Sequence, residues 1–397
     1  MKKIRFILVW IVLGLISSSF ACEAGKHAGE DRDISASAHS FSHAIVAADG
    51  SGDYRTVQSA IDAAPEHSKT PWIIFVKNGS YKECVVIPET KPFIYLIGQD
   101  KEKTIIHHNL NVGGKPAEDT TLEDMEYWKH SVHNPQSDVY KCEGSVVKIK
   151  APDFYSENIS YVNDWGVDNQ KGPQALAMSS QADRVTFYNC IFRSFQDTWM
   201  TATNDAYRHY VKDCWIEGAV DYFYGGGDVL AEGCTFYNVR SGSIIVAPCH
   251  KNAKWGYVFR NCIIDGNEAA ANVARWGVKL GRPWHNSPKT VYIHTTMNIP
   301  ISPEGWTNMG AIPALFAEYD SRDADGNVLN LEKRKTEYEG RGENAPKGTC
   351  RAVITAEEAD TYIYENIIPG TDQWNPRMII EELSALKSVS KKKQESK

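Results

Sequence analysis

Four short strings in the chain share one layout, and that repeat limits the fold more than any other feature. VTFYNCIF (Val185 to Phe192), YVKDCWIE (Tyr210 to Glu217), LAEGCTFY (Leu230 to Tyr237) and YVFRNCII (Tyr257 to Ile264) align on Cys190, Cys214, Cys234 and Cys262, at spacings of 24, 20 and 28 residues. An earlier relative, FYSENISYV (Phe154 to Val162), carries Asn158 at the cysteine position. Each unit alternates residue types as a short strand does. Four positions after the cysteine comes a turn former, Ser194, Gly218, Asn238 or Gly266. Units of this length, with short strands and no helical period, predict an all-β chain wound as a parallel β-helix, whose coils stack at about 4.8 Å. A helical solenoid does not fit the pattern. Length alone, 397 residues at about 150 per domain, suggests two or three domains. The repeat predicts instead one elongated domain over residues 43–385.

Stacking also bears on the nine cysteines. Cysteines at equivalent positions of successive coils are small buried hydrophobes, so most are expected to be free thiols. No CxxC or Cys/His spacing supports a zinc site, and neither a metal nor another cofactor is expected. Helical signals are short and sit at the ends. In TVQSAIDAAP, Thr56 caps a helix ended by Pro65, a lid for the first coil. TAEEADTYIYENII (Thr355 to Ile368) reads as a closing helix with a capping box from Thr355 to Glu358. Lys115 to Cys142 and Asp320 to Gly348 are polar and read as surface insertions.

The first 21 residues differ from the rest. Lys2, Lys3 and Arg5 precede an apolar run, Ile4 to Ile16, and a mostly small, polar stretch from Ser17 to Ala21, which reads as an export signal. The run is too short to span a bilayer. Without these three cations the formal charge moves from −7 to −10. Two readings fit the junction: soluble export, secreted or periplasmic, with cleavage after Ala21, or lipid attachment at Cys22 as the only membrane contact. Residues 22–42 read as a flexible tether and 386–397 as a disordered basic tail. With 43 Lys plus Arg against 50 Asp plus Glu and no basic, aromatic tract beyond the leader, nucleic acid is excluded as a default partner. A monomer is expected.

The chemistry emerges from counting along the repeat. Asp197 lies seven residues after Cys190 and Asp221 seven after Cys214, so they occupy one position on consecutive coils, with backbones roughly 5 Å apart. Two carboxyls so close cannot both ionise comfortably, so one pKa is expected to rise and the other to fall. One site thereby obtains an acid and a base. Gln196 can donate to a developing oxyanion if a bend places it beside Asp197. Arg282, in LGRPW, can hold a carboxylate ionised through a bidentate contact, and Trp284 can offer a sugar platform.

These residues sit in a specific set of segments. ADGSGDYRTVQSAIDAAP (Ala48 to Pro65), GSYKE (Gly79 to Glu83), GPQALAM (Gly172 to Met178), SFQDTW (Ser194 to Trp199), GAVDYFYG (Gly218 to Gly225), LGRPW (Leu280 to Trp284) and PEGW (Pro303 to Trp306) resemble, in order, the signature segments of pectin methylesterases, or pectinesterases. The resemblance runs from about Ala44 to Pro376. It implies a right-handed parallel β-helix with short capping helices, hydrolysis of methyl esters on galacturonate units of pectin (homogalacturonan), and no metal. By motif, Asp221 is then the nucleophile, Asp197 the general acid and base, Gln174 and Gln196 the oxyanion site, and Arg282 the partner of Asp221. Trp284, Trp199, Phe223 and Trp306 are the expected substrate-binding aromatics. The chain departs from the family at Ser194 (usually Gly), Met200 (usually Tyr), Phe223 and Tyr224 (usually Ile and Phe), and in the insertion between Lys115 and Cys142.

Two other classes share the shape. A β-helical pectin depolymerase would cleave glycosidic bonds as a hydrolase or, as a lyase, would usually need a calcium cluster and a basic proton acceptor. A non-catalytic β-helix would bind polysaccharide and release no methanol. No dense acidic ligand cluster adjoins Asp197 or Asp221, which favours the esterase.

Overall fold

The computed structural model describes residues 41–395, apart from 118–119, 122–124 and 273–276. The leader, Cys22 and nearly all of the tether lie outside the described residues. Each repeat unit places one strand on either side of its cysteine. Val185–Tyr188 precedes Cys190 and Ile191–Arg193 follows it; the next coil repeats this with Arg208–Lys212 and Trp215–Gly218. Pairing is parallel, Val185 with His209 and Ile191 with Trp215. A third strand completes each coil, Trp199–Met200 on one and Val220–Gly225 on the next, with Trp199 opposite Phe223. Among the described residues this gives three parallel sheets of ten, nine and seven strands, a right-handed parallel β-helix.

The turn between the first two strands of a coil has a local cause. The residue before each cysteine is left-handed: Asn189 (φ 51°), Asp213 (53°), Gly233 (64°) and Asn261 (51°). Asn, Asp and Gly adopt that region with least strain. Asn158 (φ 55°) belongs to the same column, and the Asn189 amide donates to its Oδ1 at 2.6 Å. Because Phe154 pairs with Val185, Ile159 rather than Asn158 stands at the cysteine level, a correction of one residue to the sequence alignment of that coil.

The four repeat cysteines form a buried stack of free thiols, with the Cys190 N–H donating to Cys214 Sγ at 3.3 Å. Cys249 and Cys350 are also free. Cys84 and Cys142 form a disulfide that no repeat signalled, and it clips the end of the 115–142 insertion to the start of strand Val85–Ile87.

Thr56 does cap the first helix, Val57–Ala63, which buries Val57, Ala60 and Ile61 over the opening coil. The Glu83 carboxylate, at the end of GSYKE, accepts from the Val57 and Gln58 N–H groups at 2.8 and 3.0 Å, satisfying two more donors of that helix end. At the other end the capping box at Thr355 and Glu358 is present, but the expected single helix is two short ones, Ala356–Ala359 and Tyr364–Ile367. The expected tail is corrected too. Helix Pro376–Glu395 runs through it, packing Ile379, Ile380 and Leu383 on the outer face of the ten-stranded sheet, with Lys387 paired to the buried Glu157.

Candidate active site

The site forms where the nine-stranded sheet hands over to the seven-stranded one. Gln196 bridges Val220 and the Asp197 N–H donates to the Val220 carbonyl at 2.9 Å, which sets Asp197 level with Asp221 on the next coil. Both residues are left-handed, with φ of 60° and 49°. This is the bend that lets Gln196 and Asp197 serve one site. On the following coil Val220 pairs with Ile244 and Phe223 with Val246, so the Asp221 strand carries one extra residue, a bulge that re-aims the carboxylate.

Arg282 follows strand Lys279–Gly281 and grips Asp221 with two parallel bonds, Nε to Oδ1 at 2.8 Å and Nη2 to Oδ2 at 2.6 Å. Asp221 is only 6% exposed, so the pair is strengthened by a low local dielectric. Burial pushes the Asp197 carboxyl up to about 8, helped by the charge of Asp221 and opposed by Arg282. The expectation that the second pKa falls is not met. Burial raises Asp221 as well, against the hydrogen bond and charge of Arg282. The two still separate in order: repulsion from an ionised Asp221 contributes to the Asp197 shift, whereas Arg282 favours the Asp221 anion. Arg282 thus favours the anion at Asp221, and the charge of Asp221 favours the proton on Asp197.

Gln196 directly precedes Asp197, and the backbone ties the Gln174 segment to it. The Ala175 N–H donates to the Gln196 carbonyl at 3.1 Å and the Val112 N–H to the Gln174 carbonyl at 3.0 Å, so the backbone fixes both residues. Their half-buried side-chain amides have no hydrogen-bond partner among the described residues, leaving the donors for a ligand. The departure at Ser194 has a structural use, since its hydroxyl donates to the Ala175 carbonyl at 2.6 Å and ties the Gln174 segment to the turn that carries Asp197. The 115–142 insertion reaches the same place: a Cβ at Gly113 would lie 2.7 Å from both the Tyr127 ring and Pro173, which precedes Gln174, so only glycine lets the three approach.

The floor beside the carboxylates is apolar, built from Leu176, Tyr224 and Ala247 with Val112, Met200, Trp284 and Met309. Trp284 is half-buried and meets the Tyr224 ring edge-on at 5.6 Å. Three other expected sugar contacts are corrected. Trp199, Phe223 and Trp306 are all 0% exposed. Trp199 stacks on Phe192 at 4.3 Å and Trp306 on Phe316 at 4.6 Å, inside the coil. Alternation explains this: on strands Trp199–Met200 and Val220–Gly225, Trp199 and Phe223 point inward, and Met200 and Tyr224 face the cleft. Tyr224 supplies aromatic surface there instead. Burial and the charges of Asp197 and Asp221 hold its phenol protonated, well above the usual range. Among the described residues no His/Cys/Asp/Glu cluster suits a metal ion.

The comparisons with known proteins agree with this geometry. The Pectinesterase family model matches residues 43–124 and 130–340. A pectinesterase of Petunia integrifolia is 31% identical over 336 residues, covering 80% of each chain. Pectinesterase 31 of Arabidopsis thaliana is 34% identical over 280 residues, 69% of this chain and 80% of the relative. The structure of pectin methylesterase from carrot superimposes with a TM-score of 0.65 at 25% identity, over 83% of this chain and 94% of that one. A family model spanning most of the chain, and a relative above 30% identity covered to the same extent as this one, place it without ambiguity: the chain belongs to the pectinesterase family.

Proposed function

We propose that this pectinesterase hydrolyses methyl esters of galacturonate units in pectin through an acyl-enzyme on Asp221. The observation that supports this reading is the in-register carboxyl pair, one member gripped by Arg282 and the other protonated near neutrality. Asp221 attacks the ester carbonyl, and the oxyanion that forms meets the free amide donors of Gln174 and Gln196. Collapse breaks the bond to methoxide, which takes the Asp197 proton and leaves as methanol. Asp197, now a carboxylate, removes a proton from water. The hydroxide cleaves the acyl–Asp221 anhydride, giving free galacturonate and restoring both aspartates. Arg282 keeps Asp221 ionised and aimed throughout, and Trp284 with Tyr224 forms the floor on which the sugar rests.

Incubation with highly methyl-esterified pectin tests the reaction class. Methanol should appear without new reducing ends or unsaturated products, and either of those would point to a depolymerase instead. We also propose that the reaction takes place outside the cytoplasm, after export directed by residues 1–21; mass spectrometry of the mature N-terminus distinguishes a lipid on Cys22 from a soluble chain.

A further inference from the structure

Gln174 is held from two sides. The turn that carries Asp197 grips the next residue, with the Ala175 N–H donating to the Gln196 carbonyl and the Ala175 carbonyl accepting from Ser194. On the other side the Val112 N–H donates to the Gln174 carbonyl at 3.0 Å. Val112 lies in residues 110–114, which lead from strand Thr104–His108 into the 115–142 insertion. The insertion folds back and fixes this segment. Asn111 and Ser131 form an isolated parallel bridge, in which the Asn111 N–H donates to the His130 carbonyl at 2.9 Å and the Val132 N–H to the Asn111 carbonyl at 3.0 Å. The Asn111 side chain donates through Nδ2 to the Tyr127 carbonyl at 2.8 Å and accepts through Oδ1 from the Gly113 N–H at 3.0 Å, while the Ser131 hydroxyl donates to the Gly113 carbonyl. Both residues are fully buried, so a lost partner leaves a polar group stranded. The far end of the insertion is fixed covalently. Cys142 is bonded to Cys84, and the two stand just before Ser145–Ile149 and Val85–Ile87, the last pair of strands in the seven-stranded sheet. Closing so long an excursion onto the neighbouring coil removes many of its alternative conformations.

We infer that the Cys84–Cys142 bridge, acting through Ser131 and Asn111, positions Gln174, so that the rate of this enzyme depends on a disulfide bonded to none of the reacting groups. The inference rests on the proposed reading of Gln174 as an oxyanion donor. Asn111, Ser131 and the bridge are positioning groups, each acting through the backbone of residues 110–114. An oxyanion donor works only as charge develops on the ester oxygen, so displacing it lowers kcat and spares the binding of the uncharged ester.

The test follows methanol release from highly methyl-esterified pectin by the native enzyme, Ser131→Ala, Ser131→Thr and the double variant Cys84→Ser/Cys142→Ser, each shown to be folded by circular dichroism. Ser131→Ala and the double variant should each lower kcat about tenfold with KM within about twofold of native. Ser131→Thr keeps the hydroxyl and should restore most of the loss. The same bridge is opened in finished native enzyme by dithiothreitol, itself oxidised to a cyclic disulfide, which keeps the test alive if the double variant does not fold. A role in stability alone would move the melting temperature without this split between kcat and KM. In a Gln174→Ala background the same changes should cost less than about twofold more, because the group they position is gone. Full, independent losses in that background, a near-native kcat with the bridge open, or a near-native kcat for Gln174→Ala itself overturn the positioning role while leaving the acyl-enzyme on Asp221 intact. Absence of methanol from the native enzyme overturns the esterase reading, and this inference with it.

Discussion

The coils that carry Cys190 and Cys214 carry Asp197 and Asp221 seven residues later, so one stacking rule produces two columns of opposite character. The thiols face inward, are buried, and meet backbone carbonyls such as Lys212 O, 3.3 Å from Cys214 Sγ. Burial pushes the Cys214 and Cys262 thiols well above their usual range, whereas at Cys234, between them, burial is outweighed by hydrogen bonds from those two flanking thiols, which hold it below. Asp221 is buried almost as deeply and Asp197 partly so, but a left-handed bend turns them toward an apolar floor, and Arg282 stabilises the charge on Asp221. Stacking by itself does not make a site. What separates the columns is the local backbone and one committed cation.

The sharpest way to break this contrast is to neutralise one aspartate. Asp221→Asn should lower methanol release by at least about a thousandfold, with the fold unchanged by circular dichroism, because the nucleophile is lost while the side-chain shape is kept. A rival esterase reading has to be tested beside it. Across the outer face of the nine-stranded sheet, His107 Nδ1 lies 2.6 Å from Asp164 Oδ2 and His107 Nε2 lies 2.7 Å from Ser80 Oγ. This hydroxyl–imidazole–carboxylate chain has the connectivity of a serine hydrolase, but Ser80 is exposed on a flat strand. Ser80→Ala should leave methanol release unchanged; a loss comparable to that of Asp221→Asn would move the chemistry to that face.

Next in size is the cation. Arg282→Lys keeps the charge but not the two-pronged grip, and kcat should fall by about a hundredfold while KM changes little. A near-native kcat would mean that charge alone suffices.

Stability gives an effect of known sign that is read as a function of pH. An unfolded Asp titrates near 4, whereas folded Asp197 does so at about 8. Its favourable contribution is complete below pH 4 and is lost as pH rises to 8, by at most about 1.4 kcal/mol per pH unit. The melting temperature of Asp197→Asn relative to native should therefore climb between pH 4 and 8 and level off above. Smallest is the buried thiol column: Cys234→Ala should cost about 1–2 kcal/mol in denaturant unfolding and leave kcat/KM within twofold of native.

The register of the two aspartates was readable from sequence because each lies the same distance from a repeat cysteine. The coil at Phe154 lacks that cysteine and was misaligned by one. The left-handed Asn, Asp or Gly preceding each cysteine is the marker that holds on that coil as well. Facing was harder to read. Past a left-handed residue, strand parity no longer follows from counting, and so Trp199 and Phe223 were expected in the cleft that Met200 and Tyr224 line. Features outside the repeat left little trace. Cys84 and Cys142 belong to no repeat unit, and the final helix shows three apolar anchors, Ile379, Ile380 and Leu383, among residues that otherwise read as a solvated tail.

The central claim is that Asp221 ionises while Asp197 stays protonated, and the pH dependence of kcat/KM for methanol release tests it most directly. The rate should rise on the acid side as Asp221 loses its proton, reach a plateau, and fall above about pH 8 as Asp197 loses the proton it gives to methanol. A rate that holds or keeps rising through pH 8 to about 10, in enzyme shown to be folded there, would contradict it.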